Sequence, residues 1–421
     1  MSQLASPLTL PSGTTLANRL AKSAMSEILA DPETHAPNDQ LVRLYERWGK
    51  SGAGLLITGH VIVDPVGLGE PGNVMIVDDR HRVALARWAS AAQAHGAQLW
   101  MQINHTGRQA PKRLTHHPVA PSPVALKGMT GLFARPRALE DREITALVTR
   151  FATTAAAAKD AGFAGVQIHA AHGYLISQFL SPLTNLRDDA WGGDAIRRSR
   201  FLLEIVRAVR AAVGPAFPVG VKLNSADFQR GGFAIDAAMD VVRALETAGI
   251  DLLEVSGGNY ESPAMAGSGE LAKNQRVSSR YREAYFLDYA RQLRTITKLP
   301  ILLTGGMRSR AVMEDALASG ATDVIGLARP MAHTPELPAK LLDGSLAAAP
   351  VVKLRSRIRL VDDAIQVMWY QQQITALSLG RDPDPALGIW TAFWRGLRDN
   401  ILPGKRRPAA TPAAALAEKA G

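Results

Sequence analysis

The chain has 421 residues, 47% of them hydrophobic, with no cysteine and a formal net charge of +10. Without cysteine there are no disulfides, no thiolate catalysis and no thiolate-held zinc or iron–sulfur cluster. No run approaches the ~20 apolar residues of a membrane span.

The opening MSQLASPLTLPSG lacks the charged-then-apolar pattern of a secretory signal, so a cytoplasmic enzyme is expected. Residues 345–421 carry 11 Lys+Arg against 6 Asp+Glu, half of the net charge. That reads as a solvated basic tail. No basic patch is interleaved with aromatics, so neither nucleic acid nor membrane is expected as a partner.

Residues 8–16 read as a small hairpin turning at Ser12-Gly13. Apolar runs then alternate with amphipathic stretches. Strands are expected at 20–25, 54–59, 97–103, 165–169, 219–224, 251–256, 301–304 and 323–327. Helices are expected at 39–51, 79–95, 143–161, 195–213, 235–248, 282–297, 309–318 and 335–342. Glycines 52, 96, 162, 214, 249 and 320 fall where each helix should stop and turn into a strand. Eight β-then-α units with strands apolar on both faces predict a (β/α)8 barrel over 1–345. A doubly wound sheet is the rival, but no strand runs directly into G-x-G-x-x-G.

Two connections break the rhythm. Residues 107–140 are long and rich in Pro, His and Arg, and 257–269 are rich in Gly and Ser. Both follow strand C-termini, the face on which barrels build their sites. Past 345 the alternation stops. Helices are expected at 361–379 and 389–400 within an extension at 346–407, and 408–421 reads as a disordered tail. The extension is either padding over the barrel or a homo-oligomer contact.

On a barrel the polar strand ends converge: Ser23 to Ser26, Thr58-Gly59-His60, Gln102, then His169, His172 and Tyr174, Lys222 with Asn224, Thr304 to Met307, and Ala328-Arg329. Gly305-Gly306 and Arg329 suit a phosphate; the bland alternative is a turn and a cap. His169 and His172 are two hydrogen-bond donors or two structural histidines; a zinc pair lacks a third ligand. Tyr174 offers a phenolic proton or simple packing. Lys222 at a buried strand end calls for an anion or an electron-rich ring nearby, or serves as a Schiff-base lysine.

The motifs NRLAKSAMS (18–26), QINHTGR (102–108), HAAHGYLISQFLSPLTNLRDDAWGG (169–193), VKLNSADF (221–228) and TGGM (304–307) resemble the old yellow enzyme family of FMN-dependent NAD(P)H oxidoreductases. The resemblance covers nearly all of 5–345. It implies a barrel holding FMN, with NADH or NADPH as co-substrate. Ser23, Ala24, Met25 and Gly59 would line the flavin, and Ser26 would sit near its O4–N5 edge. Gln102 would bond the pyrimidine, and Lys222 would sit by N1–O2. Gly305, Gly306, Met307, Ala328 and Arg329 would hold the phosphate. His169 and His172 would bind the carbonyl oxygen of an activated alkene while N5 gives hydride and Tyr174 gives the proton.

Three positions depart from the family. Ser26 stands where many members have Thr or Cys, Ile28 replaces a substrate-binding tyrosine of one branch, and Lys222 stands where others carry Arg. The rival readings are a dehydrogenase or demethylase oxidising an amine or alcohol, a flavin-free aldolase using Lys222, and a non-catalytic barrel that binds a partner through its basic tail.

Overall fold

The Asn38 side-chain oxygen accepts from the backbone N–H groups of Gln40 and Leu41, each at 3.1 Å. That bond caps α1 (Asp39–Gly49), which buries Leu41, Leu44, Tyr45 and Trp48 as one stripe at helical spacing. The structure is a computed structural model and describes residues 2–127, 131–257, 286–352, 354 and 359–401. The rest of the expected loop 257–269 beyond its first residue, the start of the expected helix 282–297 and the expected disordered tail 408–421 lie outside the described residues.

The remaining helices are α2 (Arg82–Gln93), α3 (Asp141–Asp160), α4 (Leu175–Leu180), α5 (Ala195–Val213), α6 (Ile235–Thr247), α7 (Leu287–Arg294), α8 (Arg310–Ala318), α9 (Pro330–His333), α10 (Leu337–Leu342), α11 (Arg359–Ser378) and α12 (Ile389–Ile401). Eight strands close a barrel: β1 (Leu20–Lys22), β2 (Leu55–Ile62), β3 (Gln98–Asn104), β4 (Gly165–Ala170), β5 (Val219–Asn224), β6 (Leu252–Ser256), β7 (Ile301–Thr304) and β8 (Val324–Leu327). Every neighbouring pair is parallel and the ring runs in chain order. This is the expected (β/α)8 barrel.

Strand periodicity sorts the barrel interior into layers. At the bottom, Trp100 fills the axis against Leu252, Leu302 and Val324. It fits because the neighbouring strands carry glycine: a Cβ on Gly165 would lie 2.7 Å from the Trp100 ring, and one on Gly220 would lie 3.0 Å from it. The N-terminal hairpin, Leu8–Thr9 paired with Thr15–Leu16, closes this end with Leu10 and Leu16. One step up the strands the inward residues turn polar. That change places the site at the other end.

Three features depart from the sequence expectation. β2 runs on to Ile62 because its register shifts between Ile57 and His60, a bulge that lets pairing resume after Gly59. The long connection 107–140 contains a two-stranded sheet, Val119–Ala120 with Arg137–Ala138. α4 interrupts the loop after β4. In the extension, α11 packs on α1 and α9, and α12 packs on α11. Gln371 of α11 donates to the Glu27 carbonyl, and Arg43 of α1 donates to the Ser378 carbonyl at 3.1 Å.

Candidate active site

The loop after β4 is built around a tight reversal. His172 and Gly173 both have left-handed backbone, φ 62 and 74, a conformation costly for a histidine. Neighbours hold it there. His172 N–H donates to Asn224 Oδ1 at 3.1 Å, and its carbonyl accepts from Gln109 Nε2 at 3.0 Å. The Gly173 carbonyl accepts from Gln178 Nε2 at 2.7 Å. The reversal brings Tyr174 back over β4, perpendicular to His169 with ring centroids 4.9 Å apart. His169 and His172 stand 5.0 Å apart.

Burial first, and then mutual proximity and Lys222 and His60 nearby, hold His169 well below the ordinary histidine range. Burial followed by Lys222 and His60 does the same to His172. Both rings are therefore neutral near pH 7. His169 Nδ1 accepts from the Ala171 N–H at 3.2 Å, which leaves Nε2–H as its donor. His172 Nε2 meets Ser256 Oγ at 2.7 Å.

Below this cluster runs a buried polar chain. Gln102 Nε2 donates to Gln167 Oε1 and Gln167 Nε2 donates to Glu254 Oε2, each at 2.7 Å. Glu254 Oε1 pairs with Lys222 Nζ at 3.0 Å and accepts from Thr304 Oγ1 at 2.7 Å. Thr304 in turn touches Ser23 Oγ at 2.7 Å. The anion that Lys222 requires is thus Glu254, two strand positions below the mouth, which the sequence reading missed. A lone acid inside the apolar run LLEVS was the available signal.

The other expected residues fall into place around the rim. Ala24, Met25 and Ser26 continue past β1 as half-buried, unladdered chain. A Cβ on Gly59 would lie 2.5 Å from the Met25 carbonyl oxygen. Its bareness is therefore used by the protein's own backbone. At the far side, Gly305 and Gly306 have φ 133 and 75. Met307 turns away into the core, so any contact it makes there is through its backbone.

Arg308 and Arg329 form no ion pair with any acid among the described residues. Tyr370 from α11 lies against both of them, its ring 5.9 Å from the Arg329 guanidinium. Arg308 and Tyr370 were not picked out from the sequence. Nor was Glu70, which meets a residue expected only as a polar strand end: His60 Nε2 sits 3.2 Å from Ser26 Oγ and 3.4 Å from Glu70 Oε2.

These residues fit a flat, phosphate-bearing cofactor. Two guanidiniums without acid partners beside a Gly-Gly turn make an anion cradle. A buried amide and ammonium lie between that cradle and the histidines. Among the described residues no three His, Asp or Glu gather as a metal site.

A family model described as the NADH:flavin oxidoreductase / NADH oxidase family matches residues 3–346. The chain belongs to this family. It is an FMN-dependent oxidoreductase of old yellow enzyme type, with NADH as reductant. It is 38% identical over 400 residues to the NADH-dependent flavin oxidoreductase iliE of Hypocrea jecorina, covering 89% of this chain and 97% of that protein. To the NADH oxidase of Thermoanaerobacter brockii it is 34% identical over 331 residues, covering 78% of this chain but 49% of that protein.

Among solved structures, the old yellow enzyme homologue of Zymomonas mobilis matches with a TM-score of 0.69 and 25% identity, covering 83% of this chain and 95% of that one. Morphinone reductase matches at 0.68 and 26%, covering 83% and 92%. Among the described residues no helix is long and apolar enough to cross a membrane.

Proposed function

We propose that this enzyme reduces the C=C bond of small α,β-unsaturated carbonyl compounds, with Tyr174 as proton donor. The observation that carries the reading is the packing of two neutral histidines and one phenol at the mouth, His169 4.9 Å from Tyr174 and 5.0 Å from His172. Two N–H donors side by side suit a carbonyl oxygen and the negative charge that grows on it as the alkene is reduced. Neutral imidazoles donate without delivering their own protons to that oxygen, so the proton for carbon falls to Tyr174.

FMN, when bound, supplies the hydride chemistry between NADH and the alkene. The residues that would hold it are Ser23, Ala24, Met25, Ser26, Gly59 and Gln102 along one side. Lys222 would lie beneath it, and Gly305, Gly306, Met307, Ala328 and Arg329 would hold its phosphate. The Lys222–Glu254 pair makes Lys222 an orienting charge in place of a Schiff-base nucleophile, in keeping with flavin chemistry. NADPH as an alternative reductant, a cytoplasmic location and a homo-oligomer belong to the same proposal.

Anaerobic stopped flow tests the reading. NADH should bleach the flavin and an enone should restore its yellow colour. Tyr174→Phe should slow the second step at least ~100-fold, within the usual range for a general acid, and the first less than about twofold. Failure of every enone to reoxidise the flavin, with reduction by an amine or alcohol instead, would overturn it in favour of the dehydrogenase reading.

A further inference from the structure

Proton delivery by Tyr174 leaves a phenolate in a place that water reaches poorly, since Tyr174 is only 8% exposed. The phenol must recover one proton per turnover. A third histidine stands beside it. His60, just past the β2 bulge, packs edge-on against Tyr174 with ring centroids 5.4 Å apart.

His60 differs from His169 and His172 in its surroundings. Among the described residues it is the one of these three with a carboxylate at its ring: Glu70 Oε2 lies 3.4 Å from Nε2, within reach to exchange a proton with it. Glu70 is braced by Asn73, whose Nδ2 donates to it at 2.8 Å. Burial alone would raise the Glu70 carboxyl, but hydrogen bonds from His60, Asn73 and Ser26 outweigh it and leave the group below its ordinary range. Its side chain is 28% exposed, so it opens to solvent while His60 is almost closed off.

On its other edge the ring meets Asn104, Nδ2 to Nδ1 at 3.1 Å, while Asn104 Oδ1 is buried with no partner among the described residues. As it stands, the amide donates to a bare Nδ1. Turned over, it presents Oδ1 to the N–H of a charged ring. The same side chain thus serves both protonation states, and the unused oxygen marks the second.

The other titratable groups that the described residues show facing His60 are His169 and His172 after β4, with Lys222 on β5 acting on those two rings. Behind Gly59 lie Lys22, Glu27 and Tyr45.

We propose that His60, braced by Glu70 and Asn104, is a further acid–base residue of this enzyme, the proton reserve that recharges Tyr174. The inference rests on Tyr174 being the donor. In the first step the Tyr174 O–H bond breaks, the proton goes to the substrate carbon and the electron pair stays on the phenolate oxygen. The His60 imidazolium then gives its N–H proton to that oxygen and becomes neutral. Glu70 takes a proton from solvent and passes it to His60, returning to carboxylate. One solvent proton is consumed per cycle, and no electron moves through these residues.

The test uses the FMN-loaded enzyme and His60→Asn, Glu70→Gln and Tyr174→Phe, alone and combined. His60→Asn should slow alkene-driven reoxidation at least ~10-fold and remove one ionisation from its pH profile. It should also raise the Tyr174 phenol, read as the ultraviolet difference against Tyr174→Phe, by about one unit. Glu70→Gln, a same-shape change at the exposed rim, should act in the same direction with the flavin spectrum and melting temperature unchanged.

In the Tyr174→Phe background, His60→Asn should add less than about twofold. The proposal is overturned by an unaltered pH profile and phenol titration, or by equal slowing with and without Tyr174. If Tyr174→Phe is itself without effect, the donor role fails first; if only Tyr174→Phe acts, the fault lies with His60 alone.

Discussion

Lys222 Nζ and Glu254 Oε1 face each other at 3.0 Å across adjacent strands, both nearly sealed from solvent. The register that pairs Lys222 with Glu254 on one side pairs it with His169 on the other. The ammonium therefore couples the polar chain inside the barrel to the histidines at its mouth. A buried charge with its partner removed is costly, about 3–5 kcal/mol.

If Lys222 lies beneath the flavin as proposed, Glu254→Gln removes its counter-charge and leaves more net positive charge beneath the cofactor. The reduced, anionic flavin gains from that charge. The midpoint potential should rise by about 30 mV, the equivalent of about 1.4 kcal/mol for a two-electron couple. Lys222→Met should lower it and destabilise the fold. Dye-equilibrated potentiometry on both variants decides, and shifts of the same sign in both would refute a charge effect.

Among the described residues Arg308 and Arg329 lack acid partners, and Tyr370 lies against them. If they hold the phosphate, Arg329→Ala should weaken FMN about 10- to 100-fold, the range of a lost charge-assisted hydrogen bond. Riboflavin, which has no phosphate, should bind as before. Because Tyr370 comes from α11, removing α11 and α12 should also cost FMN affinity, contrary to a tail that merely pads the barrel. Fluorescence titration of the apoprotein with both flavins is the measurement. Equal weakening of both would mean general damage.

The barrel was legible because its strands are apolar on both faces and its helices stop at glycine. At Gly162, for example, φ is 86 and the following Phe163 N–H reaches back to Ala158. The residues of the β4 loop were legible because they resemble a known motif. Glu254 was not, because an acid within an apolar run shows no sign of the lysine on the next strand. His60 stood at an expected strand end, but the bulge that places it and the loop that brings Glu70 back are tertiary facts. α4 is too short to show a helical period.

The buried histidines make stability depend on pH. Burial holds His169 and His172 well below 6.5 and His105 down at about 4. Below pH 6.5 the unfolded chain therefore binds protons that the native protein does not, and stability falls as pH falls. For His105 the loss spans about pH 6.5 to 4. Urea midpoints should decline across this window, and His105→Gln should flatten the decline. A midpoint insensitive to pH there would contradict the assignment.

Glu27 holds the β2 bulge from behind. Its Oε1 accepts from the Gly59 N–H at 2.8 Å and from the Tyr45 hydroxyl, and Lys22 Nζ lies 3.7 Å away. Lys22 has no solvent contact; its ammonium bonds Tyr45 and the Ile57 carbonyl and lies 4.3 Å from the Trp48 ring. Burial pulls it down to about 8, with Glu27 opposing the shift. Glu27→Ala strands the lysine and two donors at once, so a loss of about 3–5 kcal/mol is expected. The loosened bulge should also carry His60 away from Tyr174. Adding Lys22→Met should restore much of the stability, since the uncompensated charge goes with it, but not the bulge. Urea unfolding reads the first effect and the Tyr174 titration the second. A double variant no more stable than Glu27→Ala would show that the bulge, not the charge, is what Glu27 supports.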